Sequence, residues 1–162
     1  MNSFASVTGI ITQIQPDPGD GASYGCSLTV TVQTFYREIV IFSLNGDTYV
    51  VDNALLQAGS QVTIFYDKNA PAALIYPPKF KAVVAAISNN RQYYLGEFYN
   101  SFISTDQTIQ INETTPLRFF LPNGQIFSGA IMGKTVLVEY TSASKSIPAL
   151  VTSSRIIVFC YI

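Results

Sequence analysis

The fold turns on two stretches that match each other: GSQVTIFYD, residues 59 to 67, and GKTVLVEYT, residues 133 to 141. They align without a gap, with Gly59 on Gly133, Val62 on Val136, Ile64 on Val138 and Tyr66 on Tyr140. Alternating β-branched residues behind a glycine read as a strand entered through a turn. Two such strands at equivalent places read as an internal duplication.

The match extends in both directions. Upstream, NGDTYVV at Asn45 answers NGQIFSG at Asn123, each with an Asn-Gly pair suited to the positive φ of a tight hairpin. Downstream, LIYPPKFKAVV answers KSIPALVTSSRIIV, with Pro77 on Pro148, Pro78 on Ala149 and Val83-Val84 near Ile156-Ile157. Proline fixes φ and removes a ladder donor, so Pro77, Pro78 and Pro148 read as the last corner before each half's final strand.

The remaining runs are short, rich in Val, Ile, Thr, Tyr and Phe, and bounded by turn residues, with almost no helical periodicity. The expected fold is all-β: two tandem small Greek-key or OB-like barrels, residues 1–87 and 80–162, sharing KAVVAAI as boundary strand. One fused β-sandwich of the same strands is the alternative. The segment DNALLQAG, with Asp52 as a cap, falls where an OB barrel carries its helix. EIVIFSL and AVVAAI are apolar at successive positions, which calls for cover on both faces. The terminal RIIVFCYI has no charge, proline or glycine after Arg155, the composition of an edge strand that needs a partner.

Composition narrows the function. The chain has 162 residues, 48% hydrophobic and 12% charged, with net charge -1. That fills a core and leaves a surface of Ser, Thr, Asn, Gln and Tyr that opposes association weakly. The basic residues form no stripe, which argues against nucleic acid as the main partner. With no histidine, Ser-His and Cys-His nucleophile pairs and His metal sites are excluded. Asp17 and Asp20 sit in QPDPGDGASYG, a turn composition with weak calcium binding as the alternative. No cofactor and no catalytic residues are expected, and no stretch is long enough to span a membrane. The start lacks a basic and apolar leader, so synthesis in the cytoplasm is expected.

The expected function is a non-catalytic structural subunit that self-associates into a filament, layer or surface assembly. Its candidate contacts are Ile157, Phe159, Tyr161 and Ile162 on the terminal strand, and Tyr93, Tyr94, Phe98 and Tyr99 in RQYYLGEFYNSF. The same aromatic run, beside Arg91, keeps a second expectation open: an OB-type module binding single-stranded nucleic acid, a glycan or a peptide. Lys79 and Lys81 are candidate phosphate contacts or solubilising charges. Cys26 and Cys160 are expected as buried free thiols or, in an extracellular assembly, as a disulfide within or between chains.

GSQVTIFYD, IYPPKFKAVV and YTSASKSIPALVTSSRIIV together resemble small β-barrel modules of spore-forming Gram-positive bacteria, over about 30 residues per half. The second copy departs where Ala149 stands for a second proline. The resemblance implies a bacterial origin and a spore or envelope setting, in which mother-cell lysis displays a protein that carries no leader.

Overall fold

A computed structural model of the chain describes residues 3–99, 101–114 and 116–162. The chain is all-β and divides into two compact units, Met1–Asn89 and Asn90–Ile162. Every ladder among the described residues lies within one unit.

The first unit contains β1 (Phe4–Pro16), β2 (Leu28–Thr34), β3 (Ile39–Leu44), β4 (Tyr49–Val50), β5 (Gln61–Asp67), β6 (Lys79–Lys81) and β7 (Val84–Ile87). Its sheet runs β4-β7-β5-β1-β2-β3-β6. The two ends of that path are joined by the chain itself, because β3 continues into β4 and β6 into β7. β3 lies parallel to β6 and β4 parallel to β7. The Ala82 amide donates to the Ser43 carbonyl at 2.9 Å and the Tyr49 amide to the Val83 carbonyl at 3.0 Å, carrying the seam across the gap. The result is a five-stranded Greek-key barrel of the OB kind, with no open edge along the seam. The long β1 pairs with both β2 and β5, with a register shift between Ile11 and Gln13, and at Gly9, paired on both sides, a Cβ would run into the Gln33 carbonyl oxygen. Inside lie Ile11, Val30, Val32, Val40, Phe42, Val62 and Ile64, and Tyr66 stacks on Phe80 at 4.0 Å between centroids.

The second unit repeats this plan with β8 (Gln92–Glu97), β9 (Ile109–Ile111), β10 (Phe119–Phe120), β11 (Thr135–Ala143) and β12 (Ala149–Phe159). β11, like β5, lies between two antiparallel partners, β8 and β12. β9 and β10 run parallel to the two ends of β12 just as β3 and β4 run parallel to β6 and β7. The aligned glycines also agree, Gly59 at φ 94 and Gly133 at φ 76, a left-handed entry that favours glycine. The peptide bonds before Pro77 and Pro148 are both cis. What differs is the second strand: β2 is reduced in the second unit to bridges from Ser104 to Phe98 and from Ile103 to Gln110.

Several local expectations are corrected. β7 is laddered to β4 and β5, and the second unit opens on β8 instead of sharing KAVVAAI. DNALLQAG forms a single 3-10 turn at Val51–Asn53 and no α-helix. Asp52 lies inside that turn and not at its N-cap, which is Val50, and stands at φ 62 beside Asn53 at φ 48, left-handed values that break a helix. Leu56 is buried against the core in the helix's place. Asn45-Gly46 is not a hairpin, since Gly46 lacks a positive φ and β3 pairs elsewhere than with β4. Asn123-Gly124 follows β10, whereas Asn45-Gly46 precedes β4, so the two pairs are not equivalent. β7 is buried at Val84, Ala85 and Ala86, but β3 buries only Val40, Phe42 and Leu44 and leaves Ile39, Ile41 and Ser43 half-exposed.

Candidate functional site

The expected contact residues divide sharply. β12 has β11 on one side and β9 and β10 on the other, so it is not an open edge. Ile157 and Phe159 are buried, while Tyr161 and Ile162 beyond the strand are exposed. In the aromatic run, Phe98 is 1% exposed in the second core and meets Tyr94 edge-on, and Phe102 stacks on Phe119. Buried side chains cannot be contacts of a folded subunit, so Ile157, Phe159, Tyr93 and Phe98 leave that role. Tyr94 and Phe102, partly buried, pack against the same core as Phe98. Tyr99 remains exposed. Cys26 and Cys160 are exposed free thiols, so no bond joins them within the chain.

Tyr93 belongs to a polar cluster in the second sheet. Glu139, 7% exposed in mid-β11, takes Arg155 Nη2 at 2.8 Å, the Tyr93 hydroxyl at 3.2 Å and Ser154 Oγ at 3.0 Å. Arg91 adds a longer ion pair at 3.6 Å. Burial, then the Glu139 charge, pushes the Tyr93 hydroxyl up to about 12. Each carboxylate oxygen is satisfied by donors from β8, β12 and the residue before β8, which is the chemistry of a register lock between strands.

A different surface was not anticipated. At one end of the first barrel the β2–β3 turn presents Phe35 and Tyr36, the latter 90% exposed. That turn is tight, with the Thr34 amide donating to the Glu38 carbonyl and Arg37 at φ 66, so both aromatic side chains stand at its tip. The β5–β6 loop reaches the same end: the Ile41 amide donates to the Pro78 carbonyl at 2.9 Å, and Leu74, Ile75 and Tyr76 precede it, all exposed. Phe35 to Tyr36 and Leu74 to Tyr76 therefore place five large apolar side chains at one end of one barrel. An adjacent Phe-Tyr pair between two strand runs was the available sequence signal.

The outward face of β1, β2, β3 and β6 has another character. Across the ladders lie Gln13, Thr31, Ile41 and Lys79, then Gln15, Thr29, Ser43 and Lys81, with Ile10, Gln33 and Ile39 in the next row. Lys79 pairs with Asp17 at 3.4 Å and Lys81 with Asp47 at 2.6 Å, so its lysines are neutralised. The Gly19 amide and Lys79 hold the Asp17 carboxyl below its ordinary range, and Lys81 does the same for Asp47. Asp17 and Asp20 brace the β1–β2 loop, accepting from the Gly19 and Ser27 amides at 3.0 Å each, as their turn reading requires. That loop carries Tyr24, also exposed. Among the described residues no group of three or more Cys, Asp or Glu side chains is placed to hold a metal ion, and no helix is long and apolar enough to cross a membrane.

No protein-family model matches the chain, and no curated protein or solved structure matches it either.

Proposed function

We propose that the protein is a non-catalytic structural subunit that self-associates through the apolar end of its first barrel, in the spore or envelope setting its sequence resemblance implies. The observation that carries the reading is the convergence of Phe35, Tyr36, Leu74, Ile75 and Tyr76, exposed from two loops at one end. Apolar surface gathered in one place marks an interaction site, whereas scattered exposed side chains do not. A chain with only 12% charged residues offers little repulsion against a second copy. Ile147, in the matching loop of the second unit, is a single exposed apolar side chain with which that end could pair. Contacts between unlike patches propagate into open assemblies. Electron microscopy of the purified protein tests this: filaments or layers support it, and dispersed single particles at high concentration refute it.

A second reading, an OB-type binding module, is favoured by the neutral polar face of the first barrel. Strand faces of such barrels and their flanking loops are where OB folds hold ligands.

A further inference from the structure

We propose that the outward face of β1, β2, β3 and β6 binds a neutral polysaccharide. The proposal rests on the binding-module reading and is independent of self-association. The face offers amides and hydroxyls from Gln13, Gln15, Thr31, Gln33 and Ser43, groups that both donate to and accept from sugar hydroxyls. Thr29 Oγ1 is enclosed and is not among these donors. Ile41, half-exposed in the middle row of the face, and Ile39, half-exposed in the next row, give the apolar faces of sugar rings something to lie against.

The borders of the face fit the same ligand. The seven-residue β2 is about 20 Å long, and an exposed tyrosine stands in the loop at each of its ends, Tyr24 before it and Tyr36 after it. Planar rings stack on sugars and bases alike, so charge must decide between these ligands. Single strands need a positive groove along the phosphates. Here Lys79 and Lys81 are both committed to aspartates. A peptide that adds as a strand would need an open sheet edge, and the seam between β3 and β6 closes it. A long, uncharged, hydroxyl-rich chain is the ligand that fits the neutral amides and hydroxyls of this face best.

The test is affinity electrophoresis of the full chain in native gels containing, in turn, a β-glucan, a mannan, a galactan or a soluble chitin derivative, with an oligothymidylate gel-shift in parallel. Retardation by at least one polysaccharide, unchanged by added salt, is expected. Tyr24→Ala should weaken it about tenfold, and Thr31→Ala/Gln33→Ala by a similar factor. These are surface positions, and unchanged thermal melts establish that the variants are folded. The proposal is overturned if no polysaccharide retards the protein, if retardation is untouched by the face variants, or if only oligothymidylate binds and salt removes it. In that last case the binding-module reading survives and its ligand class is wrong. Association read by sedimentation of the same variants stays at wild-type level either way, which separates this failure from failure of the self-association reading.

Discussion

Replacing Glu139 tests whether the second barrel depends on one buried carboxylate. In Glu139→Leu the Arg155 guanidinium, 2.8 Å away, loses its counter-charge, and the Tyr93 and Ser154 hydroxyls lose an acceptor. Removing one member of a fully buried pair costs about 3–5 kcal/mol; the Arg155 side chain keeps 28% of its surface exposed, so the loss expected here lies at the lower end of that range. Arg91, half-exposed and 3.6 Å away, adds less than about 1 kcal/mol. A domain stable by about 5–15 kcal/mol would lose a large share of that. Urea unfolding followed by tyrosine fluorescence is the assay, since the chain has no tryptophan. Glu139→Leu/Arg155→Met should recover much of the loss, because a buried pair replaced by apolar residues of similar volume is close to neutral. A single variant within about 1 kcal/mol of wild type, or a double variant no better than the single, would refute the assignment of Glu139 as a register lock.

Gly9→Ala should lower stability by about 1–3 kcal/mol or more, because its Cβ meets the backbone carbonyl of Gln33, which cannot swing aside; a thermal melt at the wild-type temperature would contradict this. Stability should fall in alkali. Tyr93 is raised from 10.0 to about 12 in the folded chain, so its contribution is complete below pH 10 and is lost as pH rises to about 12. Burial raises the Tyr94 and Tyr140 hydroxyls as well, so Tyr93→Phe should make that slope shallower without abolishing it in urea titrations at stepped pH. Cys26 and Cys160 should both react with a thiol reagent in the native protein at the rate of a small free thiol, and protection of either in the native state would contradict their exposure.

Much of the frame was legible because it is carried by short-range chemistry. Gly59 and Gly133 mark left-handed entries into strands whose inward residues, Val62 and Ile64 or Val136 and Val138, alternate toward a core. Pro77 and Pro148 mark the matching corner before β6 and β12. What local pattern could not settle was where a strand's neighbours lie. RIIVFCYI has the composition of an edge, yet β12 is the most fully paired strand of its sheet, with ladders to β9, β10 and β11. The RQYYLGEFYNSF aromatics resembled a contact surface because the packing of Tyr94, Phe98 and Phe102 in the second core is a tertiary fact. Conversely, Phe35, Tyr36 and Leu74 to Tyr76 lie far apart in sequence, and only the parallel pairing of β3 with β6 brings them to one end. The neutrality of the Lys79 and Lys81 face likewise depends on Asp17 and Asp47, which reach it from other elements.

Sedimentation velocity over a wide concentration range, comparing wild type with Leu74→Ser/Ile75→Ser, tests the proposed function most directly. These side chains are exposed, so the substitutions leave the barrel core intact. Self-association through this end predicts that the wild-type sedimentation coefficient rises with concentration and that the variant remains a monomer throughout. A wild type that is monomeric at every concentration, or a folded variant that associates equally well, would contradict it.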